Sequence, residues 1–243
     1  MAQPISMPWS APVFPRLPHR WRGVQMAAFP FTPLPGAVAR ILPPGMEPVE
    51  GTGLVTLLRY PQTEILHPFK ELVVMVPVRV DDTLGNYIPY IYVTTDEALI
   101  PGREIAGFPK KLAEVEWERE GPHFHGSATR WGKTILSVEG RIDGPLPEQA
   151  ATQRQAAGAP SLNYKLIPGP AGDVAIEEIT KTQLEIHPRR QEIGRATLRC
   201  EPSELDPVAD LVPSGDSPMV MMLSDNTIPA GEVLKQIKRQ EPA

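Results

Sequence analysis

The chain carries one cysteine, Cys200, in 243 residues, so no internal disulfide can form. Aromatic side chains make up only 6% of it, and its longest apolar runs, such as 72–78, fall far short of the ~20 residues a membrane helix needs. Basic blocks are missing as well: 24 Lys and Arg are dispersed among 29 Asp and Glu, giving a formal charge of −5. A surface built to track phosphates concentrates cations, so nucleic acid is excluded as an expected partner, and no membrane partner is expected either. The first residues, MAQPISMPWSAPVF, contain neither a basic segment nor an unbroken apolar one, which argues against a secretory leader and for a cytoplasmic protein. No G-x-G-x-x-G fingerprint or phosphate loop occurs.

Proline, by contrast, is abundant. Thirty prolines are about 12% of the chain, against a usual ~5%, and nineteen glycines join them in breaking long helices. Hydrophobic residues at 41% with charged residues at 22% supply a core and keep the chain outside the disordered regime. Prolines 4, 8, 12, 15 and 18 forbid helix in residues 1–20, which read as an extended arm. Beyond the arm the sequence reads as strand after strand: GLVTLLRY, ELVVMVPVRV, NYIPYIYV, LAEVEWERE, HFHGSATRW, TILSVEGRI, LNYKLIP, VAIEEITKTQLEI, EIGRATLRC and MVMML. Short helices fit AVARIL, residues 96–104, residues 148–158 as helix or loop, and 231–239, where Val233, Leu234 and Ile237 fall at helical spacing. Residues 1–243 are therefore expected to form a mainly β, single-domain, antiparallel β-barrel-like fold with a few short helices.

Chemistry concentrates in PGREIAGFPKKLAEVEW, residues 101–117. If Lys110 and Lys111 are extended, their side chains point to opposite faces, so only one can enter an interior cavity. A buried lysine has one outstanding use: its neutral amine attacks a carbonyl carbon to give an iminium that withdraws electrons. An ordinary lysine is neutral only about once in 2,500 at pH 7, so the surroundings must disfavour the ammonium. Other candidates are weaker. His123 and His125 share a strand face but lack a third metal ligand at supporting spacing, so no metal site is expected. Met219, Met221 and Met222 read as core, and Cys200 as a buried apolar residue.

GREIAGFPKK, together with VFPRLP, FKELVVMVPV, GNYIPYIYV and LNYKLIP, resembles the acetoacetate decarboxylase family, and the resemblance runs along most of the chain. It implies that Lys110 forms a Schiff base with a small keto acid without any cofactor. Glu71 would assist proton transfer, and Lys111, Arg103, Arg22 and Tyr92 would bind substrate or support the site. It also implies a homo-oligomer. Two family positions differ: the family's N-terminal arginine aligns on Val24 and its second pocket glutamate on Thr56. Arg22, two residues before Val24, would share its face on a regular strand and could replace that arginine. Decarboxylation of acetoacetate or a related β-keto acid is one reading. Aldol or dehydration chemistry with the same lysine and a non-catalytic small-acid-binding barrel are the others.

Overall fold

A computed structural model of the chain describes residues 4–64, 66–147 and 158–237. The strands are β1 (His19–Phe31), β2 (Glu47–Pro48), β3 (Gly53–Tyr60), β4 (Gln62–Thr63), β5 (Phe69–Val80), β6 (Thr83–Val93), β7 (Lys110–Leu112), β8 (Glu114–Glu120), β9 (His123–Arg130) and β10 (Lys133–Pro145). They continue as β11 (Ser161–Pro168), β12 (Val174–Thr182), β13 (Glu185–Cys200), β14 (Gly215–Ile228) and β15 (Glu232–Gln236). Helices α1 (Ala37–Ile41) and α2 (Asp96–Glu104) are short, as the proline and glycine content requires. Among the described residues, no helix is long and apolar enough to cross a membrane.

All fifteen strands join one sheet, in the order β15-β12-β11-β6-β5-β3-β1-β14-β13-β10-β9-β8, with β2, β4 and β7 as side branches. The path is not closed, but it rolls over on itself. Phe124 of β9 lies 6.0 Å from Phe29 of β1, and Gly126 backs onto the Leu57 side chain of β3. Pairing is antiparallel except where β6 meets β7 and β11. The fold is mainly β and loosely barrel-like, as the strand rhythm predicts.

Strand β5 shows how the roll creates two apolar compartments. Leu72, Val74, Val76 and Val78 enter the large inner core, while Phe69 and Val73, on the alternate face, join a second cluster with Trp21, Val24, Leu58, Tyr60, Ile88, Ile91 and Val93. A strand covered on both faces is apolar at nearly every position, hence the unbroken run LVVMV. Met219 and Met221 lie in the inner core.

Two expected elements differ. Residues 231–239 form no helix over their described part: β15 pairs antiparallel with β12, Thr180 opposite Val233 and Glu178 opposite Gln236. A register shift between Ile179 and Thr180 breaks the two-residue period, which gives a strand the spacing that reads as helical. The run VAIEEITKTQLEI is also two strands, β12 ending at Thr182 and β13 starting at Glu185. The segment 148–157 lies outside the described residues. Residues 4–18 form an arm of bends, with Phe14 buried as its anchor.

Candidate active site

Lys110 opens β7, which runs parallel to β6 with Lys110 beside Ile91 and Lys111 beside Tyr92. Ile91 faces the second cluster and Tyr92 the inner core, so the two lysines diverge as their adjacency requires. Glu71, next to Val93 on the same sheet face as Phe69 and Val73, reaches Lys110: the ammonium donates to Oε2 at 2.6 Å. Both side chains are nearly enclosed, at 11% and 8% exposure. The Lys110 Nζ stands 5.9 Å from the Phe69 ring centre and 5.8 Å from that of Phe108. Tyr60 stacks on Phe69 at 4.3 Å, with Trp21 against both. Burial, and next the charge of Glu71, hold the Tyr60 hydroxyl well above its usual pKa, so it remains a neutral phenol.

The GREIAGFPKK loop is pinned at several points. Pro101 and Gly102 lie in the last turn of α2, where the Ile105 N–H donates to the Pro101 carbonyl at 3.0 Å and the Phe108 N–H to the Gly102 carbonyl at 2.9 Å. Gly102 offers a bare Cα to the stem of Lys110; a methyl there would fall 2.6 Å from Cδ and 2.7 Å from Cε. Gly107 turns the chain at φ +74° and fits against Lys165, whose Cβ would lie 2.7 Å from an added methyl. Thr180 donates to the Ala106 carbonyl at 2.5 Å. Arg103 lies on the exposed side and donates to the Lys110 carbonyl at 3.1 Å, where it ties the loop rather than facing the cavity.

In front of Lys110 is a cavity of about 150 Å³. Its walls come from α2 and the loop (Gly102, Phe108), from β1 (His19, Trp21), from β5 (Phe69), from β11 and β12 (Lys165, Glu178, Thr180) and from the start of β15 (Val233). A cavity of that size accommodates a molecule of about six heavy atoms.

The remaining sequence candidates lie elsewhere. Lys111 donates to Asp206 Oδ1 at 2.8 Å and to the Leu205 carbonyl at 2.7 Å. Tyr92 is in the inner core, not the cavity wall, and its hydroxyl donates to the same Asp206 oxygen at 3.2 Å; Arg130 Nε supplies the other oxygen at 3.1 Å. Asp206 and Arg130 give no sequence signal, since one sits in an irregular loop and the other beside a hairpin turn. Val24 and Thr56 are buried, Val24 in the second cluster and Thr56 on the strand face of Leu58 and Tyr60. Arg22 does not share that face. A bulge between Trp21 and Val24, with Gly23 at φ +64°, inserts a residue and reverses the parity, leaving Arg22 exposed.

Four further charged residues line the cavity without a signal in the sequence: Lys181 and Glu232, paired at 2.8 Å and largely solvent-facing, and Lys165 and Glu178. Lys165 pairs with Glu178 at 3.1 Å, their side chains 13% and 9% exposed. Lys165 lies within LNYKLIP, but neither composition nor spacing separates it from other strand lysines. Cys200 is partly buried; burial, then the charge of Glu201, pushes its thiol up to about 12.

A family model for acetoacetate decarboxylase (ADC) matches residues 2–237. The acetoacetate decarboxylase of Burkholderia cenocepacia is 25% identical over 233 residues, which cover 95% of this chain and 94% of that one. The solved acetoacetate decarboxylase of Legionella pneumophila superposes with a TM-score of 0.85 at 25% identity, over 96% of this chain and 94% of that one. The enduracididine biosynthesis enzyme MppR shares the fold with a TM-score of 0.80 at 15% identity, over 98% and 97%. With nearly every described element inside the matched span, the chain belongs to the acetoacetate decarboxylase family.

Proposed function

We propose that the protein is a Schiff-base-forming lyase that decarboxylates acetoacetate or a related small β-keto acid through an iminium on Lys110. The observation that carries this is the Lys110–Glu71 pair, enclosed among Phe69, Phe108 and Tyr60 beside a small cavity. Passing the lysine proton to Glu71 turns two charges into none, a change that an apolar enclosure favours. The amine nitrogen then attacks the ketone carbon, and the carbinolamine loses its oxygen as water with a proton returned by Glu71. The positive imine draws in the electron pair of the breaking C–C bond as carbon dioxide leaves. The enamine takes a proton on carbon, and water releases the ketone and the free lysine.

Borohydride reduction during incubation with acetoacetate, pyruvate and longer keto acids, followed by mass mapping and carbon dioxide measurement, tests the proposal. The expected result is an adduct on Lys110 and carbon dioxide from the β-keto acid. Absence of any Lys110 adduct overturns it, and so does full turnover by Lys110→Arg, whose guanidinium supplies no neutral amine. A second reading, aldol or dehydration chemistry on the same lysine, is favoured by Val24 and Thr56, apolar and neutral where the family pattern has charges. It predicts the Lys110 adduct without carbon dioxide.

A further inference from the structure

Besides Lys110, two lysine–carboxylate pairs line the cavity: Lys181–Glu232, at 35% and 62% exposure, sits at its open rim, whereas Lys165–Glu178, at 13% and 9%, is enclosed. Lys165 stands on β11 and Glu178 on the facing position of β12, both in the cavity wall opposite α2. Glu178 is fully engaged: Oε1 accepts from Lys165 at 3.1 Å and Oε2 from the Gln236 side-chain amide at 2.9 Å. An ammonium has three donors, and Glu178 uses one of those on Lys165. Burying such a pair gives no net stability over well-packed apolar residues of similar volume, so a pair kept at a cavity wall calls for another reason. Position supplies one. The Lys165 backbone and Cβ pack on Gly107, in the loop that presents Lys110, so both lysines stand on the wall of one space sized for about six heavy atoms. On the cavity side of β1 the position aligned with the family's arginine is Val24, which offers no cation, and Arg22 faces away.

We propose that Lys165 is the specificity-determining residue that receives the carboxylate of the keto acid while Lys110 takes its ketone, with Glu178 and Gln236 fixing the ammonium in place. The assignment rests on Lys110 being the imine-forming residue. Pairing is made to the anion of the bound substrate, so its loss weakens capture of acids and leaves capture of neutral ketones alone.

The test is borohydride trapping at Lys110 as a function of concentration, with acetoacetate and with the neutral methyl acetoacetate and 2-butanone, in the wild-type protein and in Lys165→Met and Glu178→Gln. The wild type is expected to trap acetoacetate at lower concentration than either neutral ketone. Lys165→Met is expected to raise the half-saturating concentration for acetoacetate at least tenfold and to change those for the neutral ketones less than twofold. Lys165→Arg restores part of the loss, and Glu178→Gln tightens capture of the acid by freeing the ammonium. Equal shifts for acid and neutral ketones mark a structural pair and overturn the inference, as does a wild type that prefers the neutral ketones. Should Lys165→Met not fold, unchanged or weakened acid capture in Glu178→Gln overturns it as well. Failure of every compound to label wild-type Lys110 instead defeats the imine reading itself, so the two failures are distinguishable.

Discussion

Gly102→Ala separates the geometry of the site from the stability of the fold. The added methyl would lie 2.6, 2.7 and 3.3 Å from Cδ, Cε and Cγ of Lys110. Carbon atoms pack at roughly 3.5–4.0 Å, so the lysine stem must retreat by about 1 Å. It cannot do so freely, because Nζ is tethered to Glu71 and the Lys110 backbone is held by Arg103 and by its own N–H bond to the Phe108 carbonyl at 2.8 Å. A displacement of about 1 Å at a reacting group costs on the order of 10²-fold in rate. Stability changes far less than rate, since Gly102 lies in helix α2, where alanine is favoured over glycine by ~0.5–1 kcal/mol. Local crowding costs ~1–3 kcal/mol where the neighbours cannot move, so the net change is a loss of ~0–2.5 kcal/mol. The assay pairs thermal unfolding with the single-turnover rate of imine formation trapped by borohydride. The expected outcome is a protein still folded, with a melting temperature lowered by at most about 10 °C, and trapping slowed about a hundredfold. Trapping within threefold of wild type refutes the reasoning, and so does loss of activity that merely follows loss of the fold.

Three further outcomes follow from charge and burial. Burial would raise the carboxyl of Asp206, but the Lys111, Arg130 and Tyr92 donors outweigh it and hold it below its usual range. Its contribution to stability is therefore full above the unfolded value near ~3.9 and lost as pH falls through the folded one. Asp206→Asn should cost roughly 3 kcal/mol at pH 7 and flatten the acid side of the stability curve; identical acid sensitivity in urea melts refutes this. His125 is opposed by burial, yet the carboxylates of Glu139 and Glu116 bond both ring nitrogens and raise its pKa above 6.5. An NMR titration midpoint at or below that value contradicts the arrangement. Cys200, with its thiol pushed to about 12, should be alkylated at pH 8 far more slowly than a free thiol, and a rate comparable to glutathione counts against its burial.

What was legible in the sequence is what depends on neighbours along the chain. The strand rhythm, the two short helices and the divergence of Lys110 from Lys111 each follow from local period or from proline and glycine, and each is found in the structure. Where a bulge intervenes, period-based reading fails. The inserted residue at Gly23 turned Arg22 away from the face of Val24, and the register shift opposite Thr180 gave β15 the spacing of a helix. Contacts between distant segments were not legible from local pattern; only the family resemblance set Glu71 beside Lys110. Glu178 is the second of two adjacent glutamates in VAIEEITKT, and only the pairing of β12 with β11 and β15 brings it to Lys165 and Gln236.

The double lysine gains its meaning from this same distinction. Apart from the family resemblance, nothing local distinguishes two identical adjacent residues, but the sheet assigns them to different compartments. Lys111 is compensated by a buried carboxylate that already serves Arg130 and Tyr92, on the inner-core side, so its charge is neutralised where it lies. Lys110 faces aromatic rings and a single carboxylate close enough to accept its proton. An enclosed pair that can become neutral by moving one proton is suited to nucleophilic attack, whereas a cation locked into a three-donor network is suited to holding a strand in place. The division follows from one strand having two faces, and the chemistry of the site rests on which amine the fold turned toward the cavity.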